Sequence, residues 1–198
     1  MLKSMDLSRF DTMEASDLKS YLAFMLWHYR VVDSFWFLYL AEDYGQPVAE
    51  EMNERVWARV AGLATRDLMS RFSIAEKGLE GFAKVLRLYP WAVLLAYQIE
   101  ESPDEIVLTV PWCATQDARR RRGLQEYVCQ EMHRREFLGM VAEVDPRIQV
   151  SCDFAPPGER PPGFDCRWRF TLAETPAVGN SEAEAWDGGA DGGVLGGR

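Results

Sequence analysis

The sequence predicts an α+β protein in which N-terminal helices pack with an antiparallel sheet of about four strands, ordered strand-strand-helix-strand-strand in the C-terminal half. Three observations predict it. Residues 16–88 carry apolar side chains at the 3.6-residue helical period. From Trp91 onward the period shifts to two, as in strands that bury one face. The strand-like runs are joined by short Pro- and Gly-rich turns that reverse the chain, and helices followed by strands is the pattern of the α+β class.

In chain order, Ser16 caps a first helix that runs to Tyr44 and stops at Gly45. One side carries Tyr21, Phe24, His28, Val31, Phe35, Leu38 and Glu42; the opposite side (Leu18, Leu22, Met25, Tyr29, Val32, Trp36, Tyr39) is apolar too. A helix apolar on both sides belongs at the centre of a fold or in a pocket wall. Pro47 opens a second helix reaching Ser70, and a third spans Ala75 to Leu88 before Pro90. Trp91–Glu101 and Glu105–Val110 read as two strands around the Ser102-Pro103-Asp104 turn. A helix from Leu124 to Val144 leads to two further strands, 147–154 and 164–172, joined by a stiff loop rich in proline. The expected organisation is one domain over 1–172 (helical 14–89, cysteine-bearing sheet part 90–172). Residues 173–198 form a disordered tail, because the seven glycines between Gly179 and Gly197 leave little to bury.

A net charge of −9 and a pI near 4.8 argue against nucleic acid or an anionic membrane surface as partner. Arg119 to Arg122 are the local exception, on a solvated face or against a small acidic ligand. The apolar run from Tyr21 to Ala41 has the length of a membrane span, but His28, Arg30 and Asp33 near its middle make insertion costly. It is expected to be a buried helix. The start Met1-Leu2-Lys3-Ser4-Met5-Asp6 lacks the apolar core of a signal peptide, so a cytoplasmic location and reduced thiols are expected.

All four cysteines fall between 113 and 166. Strand alternation puts Cys152 and Cys166 on inward faces of neighbouring strands, Cys113 follows a strand, and Cys129 lies four residues before His133 near a helix start. Cys113, Cys129, Cys152 and Cys166, with His133 as substitute, are therefore candidate ligands for zinc, with an iron–sulfur cluster as the alternative. Four buried thiols acting as small hydrophobes are the competing explanation. Cys129 beside His133 is the one local nucleophile–base candidate. On the helices, His28, Asp33, Trp36, Glu42, Asn53 and Trp57 are candidate pocket residues: polar groups on apolar stripes, and aromatics able to line a flat cavity.

Several of these stretches form a recognisable set. His28-Tyr29-Arg30 with Asp33 and Phe35-Trp36-Phe37, Asn53-Glu54-Arg55-Val56-Trp57, Pro111-Trp112-Cys113, Glu126-Tyr127 before Cys129, Met132-His133, Asp145-Pro146-Arg147-Ile148 and Cys166-Arg167-Trp168-Arg169-Phe170 resemble a prokaryotic family of unknown function over residues 5 to 172. That family is distantly similar to the L-2-amino-thiazoline-4-carboxylic acid hydrolases and to the small-molecule-binding domain of 4-vinyl reductase proteins. The resemblance implies cysteines that act together. The expected function is a cytosolic domain with a cysteine-ligated metal site that binds a small, partly aromatic or carboxylated molecule beside the first helix. The alternative is a hydrolase of a C–N bond in a small cyclic amidine acid, with Glu42 or Asp33 as base. A redox sensor using paired thiols is a third class, disfavoured by burial.

Overall fold

The computed structural model describes residues 6–175, so the glycine-rich end lies outside the described residues. After a short turn of 3-10 helix (Ser8–Phe10), the chain forms α1 (Ala15–Tyr44), α2 (Gln46–Arg71), α3 (Gly78–Leu88), α4 (Pro90–Leu94), β1 (Gln98–Glu101), β2 (Glu105–Val110), α5 (Ala114–Arg121), α6 (Gln130–Val144), β3 (Ile148–Phe154) and β4 (Cys166–Leu172). The four strands form one antiparallel sheet in the order β1-β2-β4-β3, as the alternation and turns predict.

The core lies where α3 and α6 cover one face of the sheet. β4 buries Cys166, Trp168 and Phe170 at every second position, and Phe170 meets Phe82 of α3 and Phe137 of α6 at ring distances of 4.7 and 5.1 Å. α2 packs on the outer side of α6, and small residues set how close they come. A Cβ placed on Gly139 would lie 2.6 Å from the Ala58 carbonyl oxygen, and one on Gly62 would lie 3.3 Å from the Gly139 carbonyl. A methyl group at 139 is therefore excluded by backbone rather than by a side chain that could swing away.

The turn between α6 and β3 is fixed by one carboxylate. Asp145, nearly buried, accepts the Gly78 N–H (3.1 Å) and a two-pronged guanidinium contact from Arg147 (3.0 and 2.7 Å). Gly78 has φ +65°, in the left-handed region glycine tolerates, which lets its N–H turn toward that carboxylate.

Three expectations need correction. α1 is not buried: none of its residues is, because α2 covers a single stripe of a helix that is apolar all round. Residues 90–94 are helical rather than extended, with Pro90 in the first turn, and only Gln98–Glu101 of the expected first strand pairs. The expected helix from Leu124 begins at Gln130, while a separate helix, α5, precedes Gly123, whose φ of +64° reverses the chain. Cys152 and Cys166 lie on the same face of neighbouring strands as expected, with Cys152 directly opposite Trp168, two positions along β4 from Cys166; the register shifts only beyond Cys152, before Phe154. No helix among the described residues is long and apolar enough to cross a membrane, in line with the reading of Tyr21–Ala41.

Gly139→Ala should lower stability despite alanine's better helix propensity. Overpacking costs about 1–3 kcal/mol against a propensity gain of at most about 1 kcal/mol. A thermal melt should show the midpoint falling by several degrees, and an unchanged or raised midpoint would mean that the helices do not cross so tightly.

Candidate functional site

A cavity of about 580 Å³ opens between α1 and α2 on one side and α4, α5 and α6 on the other. Its apolar wall is aromatic. Trp57 and Trp91 meet edge to face at 5.5 Å, backed by Tyr29 of α1 at 6.1 and 5.8 Å, and Phe37 lies 5.0 Å from Tyr127. A smaller recess of about 280 Å³ between α1 and α2 shares Asp33, Phe37 and Asn53 with it.

Acidic groups sit among these rings. Glu136 is 1 % exposed; its Oε2 lies 2.7 Å from His133 Nδ1, and its Oε1 accepts the Tyr89 hydroxyl at 3.0 Å. A carboxylate this deep survives because both oxygens have partners. Asp33 enters from α1, and burial, reinforced by the charge of Glu136, pushes its carboxyl up to about 6; the hydrogen bond from the Trp57 indole acts in the opposite direction. Burial likewise pushes the hydroxyls of Tyr29 and Tyr89 well above their usual value, with Asp33 and Glu136 adding to it at Tyr29 and Glu136 at Tyr89. These phenols therefore act as neutral hydrogen-bonding groups.

The loop between α5 and α6 forms the remaining wall, and Gln116 holds it. Its amide nitrogen donates to the Tyr127 carbonyl (2.7 Å) and to Cys129 Sγ (3.6 Å), while its carbonyl oxygen accepts the Tyr127 N–H (3.1 Å). Arg119, expected on a solvated face, is instead buried at 7 % exposure. It donates to the Gln125 carbonyl (2.7 Å) and the Gln46 side chain (2.8 Å), with its guanidinium over the Phe37 ring. Arg121 and Arg122 line the same cavity. Asp165, at the foot of β4, accepts the Cys113 backbone N–H and pairs with Arg160 at 2.6 Å, anchoring the start of α5 to the β3–β4 hairpin.

Of the residues singled out as pocket-forming, Asp33, Asn53 and Trp57 line the large cavity, and Trp36 lines the small one. Asn53 donates to the Tyr127 hydroxyl (2.9 Å), bridging α2 to the loop. His28 and Glu42 are exposed on the outer side of α1, and His28 stacks on Phe24. Glu136, Tyr89, Gln116 and Tyr127 were missed. The stripe Met132, Glu136, Met140, Val144 held a usable signal for one of them, a lone acid on an apolar helix face; nothing in the pattern marks Gln116.

Cys113 and Cys129 line the cavity, and Cys166, the first residue of β4, is buried. Among the described residues, no group of three or more His, Cys, Asp or Glu side chains is arranged to hold a metal ion. None of the five expected ligands therefore belongs to such a group, although the charges of the thiols act on one another across the site. Cys129 and His133 do not form a couple either: the thiol takes the Gln116 amide and the imidazole takes Glu136. Burial pushes the Cys129 thiol up to about 12 and the Cys152 thiol up to about 11, and raises Cys113 and Cys166 too. The thiolate fraction of Cys129 and Cys152 at pH 8 is then on the order of 10⁻³ or less. A disulfide exchange reagent at pH 8 should modify these two slowly in the native protein and all four cysteines rapidly after denaturation in urea. Fast native reaction at Cys129 would contradict the buried, protonated state.

The raised Asp33 carboxyl also sets a pH dependence. Its folded value of about 6 exceeds the unfolded value near 3.9, so the folded state binds the extra proton and stability falls as pH rises between about 4 and 6. Asp33→Asn should therefore raise the melting midpoint at pH 7.5 and leave it nearly unchanged at pH 4. An equal effect at both pH values would show that the charge is not the cause.

A model of a family of unknown function (DUF6125) matches residues 13–172. No curated protein matches the chain. Among solved structures, a trafficking protein particle complex subunit 3 from Naegleria fowleri, covalently bound to palmitic acid, superposes with a TM-score of 0.48 at 11 % identity, over 80 % of this chain and 99 % of that one.

Proposed function

The chain belongs to the family of unknown function DUF6125, and we propose that it is a small-molecule-binding domain whose ligand occupies the cavity between α1–α2 and α5–α6. The observation that carries the reading is the cavity itself. Its volume of about 580 Å³ falls in the range of small-molecule sites, and it sets an aromatic wall beside acidic, amide and guanidinium side chains that can orient a ligand. The resemblance read from the sequence motifs, distantly to the small-molecule-binding domain of 4-vinyl reductase proteins, points to the same class of function.

The side chains favour a particular ligand chemistry. A flat apolar body fits against Trp57 and Trp91, and an amine attached to it would meet Asp33 beside those ring faces. Aromatic faces attract cations when water is excluded, and a bound ammonium would draw the Asp33 carboxyl back down by supplying the opposite charge. Arg121 and Arg122 offer an acidic substituent a place at the other wall. The hydrolase alternative keeps one of its bases, Asp33, in the cavity, but no metal-holding group stands beside it among the described residues.

Titration calorimetry with 2-phenylethylamine and phenylacetate, a pair of like shape and opposite charge, tests this chemistry. The amine should bind at pH 7.5, weaken as the pH falls below about 6, and lose about tenfold in affinity in Asp33→Asn. Trp57→Ala should weaken both compounds. Tighter binding of the acid in the wild-type protein would assign the site to anions instead, and absence of binding by both would remove the flat aromatic ligand.

A further inference from the structure

We infer that the outward face of α1 is the interface of an antiparallel two-fold dimer of this chain. On that face, positions 18, 21, 25, 28, 32, 35, 39 and 42 alternate steps of three and four without a break, the heptad spacing of a coiled-coil seam. The seam runs for about 36 Å at 1.5 Å per residue. Two members touch the rest of the chain, Tyr21 against the Phe10 ring at 4.9 Å and Phe35 at the edge of the cavity, yet the apolar members are between 39 and 57 % exposed, and flanking Trp36 reaches 68 %.

Three arguments select a second copy as the occupant. The first is symmetry. The seam is centred on residue 30, so an antiparallel copy places Tyr21 against Tyr39, Met25 against Phe35, and His28 against Val32, each pair joining one position of the heptad to its complementary position. Leu18 and Glu42 form the outermost layer. An isologous contact requires that sort of self-complementarity, and a patch recognising an unrelated partner does not. The second is area. Taking about 200 Å² for a large aromatic side chain and somewhat less for an aliphatic one, the exposed fractions of the seam and Trp36 give roughly 650 Å² per copy, so about 1,300 Å² for the pair, within the range of a specific interface. Met52 and Val56 of α2, exposed beside Trp36, extend the patch. The third is charge. A helix lying on an anionic membrane flanks its apolar face with Lys and Arg; α1 carries only Lys19 and Arg30, in a chain of net charge −9. Residues 176–198 contain four large apolar side chains, Val178, Trp186, Val194 and Leu195, against six apolar positions in the seam.

Sedimentation equilibrium of the full chain at tens of micromolar should give twice 22.6 kDa. Val32→Glu, which sets two carboxylates close to the two-fold axis, should weaken association at least a hundredfold while circular dichroism stays native. Register is read separately by mixing Met25→Cys and Phe35→Cys chains under oxidation. The expected product is a 25–35 linked heterodimer mapped by peptide mass. Met25→Cys alone should not link to itself, since the two sulfurs would sit about 15 Å apart, beyond disulfide reach. A folded monomer at these concentrations overturns the inference, whether or not it binds phosphatidylglycerol vesicles. So does a monomer that dimerises only when residues 176–198 are deleted, or a 25–25 link, which would mean a parallel pair.

Discussion

The crossing of α2 and α6 is the constraint on which the rest depends. Gly139 meets the Ala58 carbonyl with no room for a methyl group, and Gly62 faces Gly139 from the other side. Close backbone approach of this kind fixes both spacing and rotation, because there is little side chain left to repack. Trp57 is one residue from Ala58, and Glu136 is three residues before Gly139, on the adjoining turn. The contact that joins the helical layer to the sheet thus also orients an aromatic wall and the deepest acid of the cavity. Folding stability and the shape of the site are one problem in this protein.

The polar interior follows from that placement. An ionisable group at the depth of Glu136 costs several kcal/mol unless its partners are in place; His133 meets it from one turn earlier on α6 and Tyr89 from the junction between α3 and α4. A hydrocarbon side chain at 136 would stabilise a purely structural core more cheaply. Asp33, raised by the same environment, adds a second acid facing the same space. Two acids held in a wall of aromatic rings make the cavity chemically selective rather than a mere packing gap.

Much of the architecture was legible in the sequence. Period-two alternation placed β2, β3 and β4, the Pro-rich loop announced the β3–β4 hairpin, and Gly45 and Pro47 marked the break between the two long helices. Asp33, Asn53 and Trp57 were legible as pocket residues, since polar or aromatic groups interrupt their apolar stripes. What failed was partnership. The hydrophobicity of α1 shows that its faces want cover, but not whether α2 covers two of them or one. Pattern alone also could not distinguish Trp91–Leu95 as a helical turn from a strand, because a short apolar run satisfies both periods. Cys152 and Cys166 were placed correctly on the inward face of neighbouring strands, but inward direction is shared by every core residue and does not by itself arrange a coordination sphere; in the hairpin's register Cys152 sits opposite Trp168, two positions along β4 from Cys166.

The clasp made by Asp165 has a mechanical consequence. With its carboxylate holding the start of α5 and Gln116 and Arg119 holding the following loop, one side of the cavity is bolted to the sheet, whereas the opposite side is α1, a helix with no buried residue. The two walls therefore differ in compliance. A shift of α1 would reshape that side of the cavity and leave the sheet and its hydrogen bonds intact.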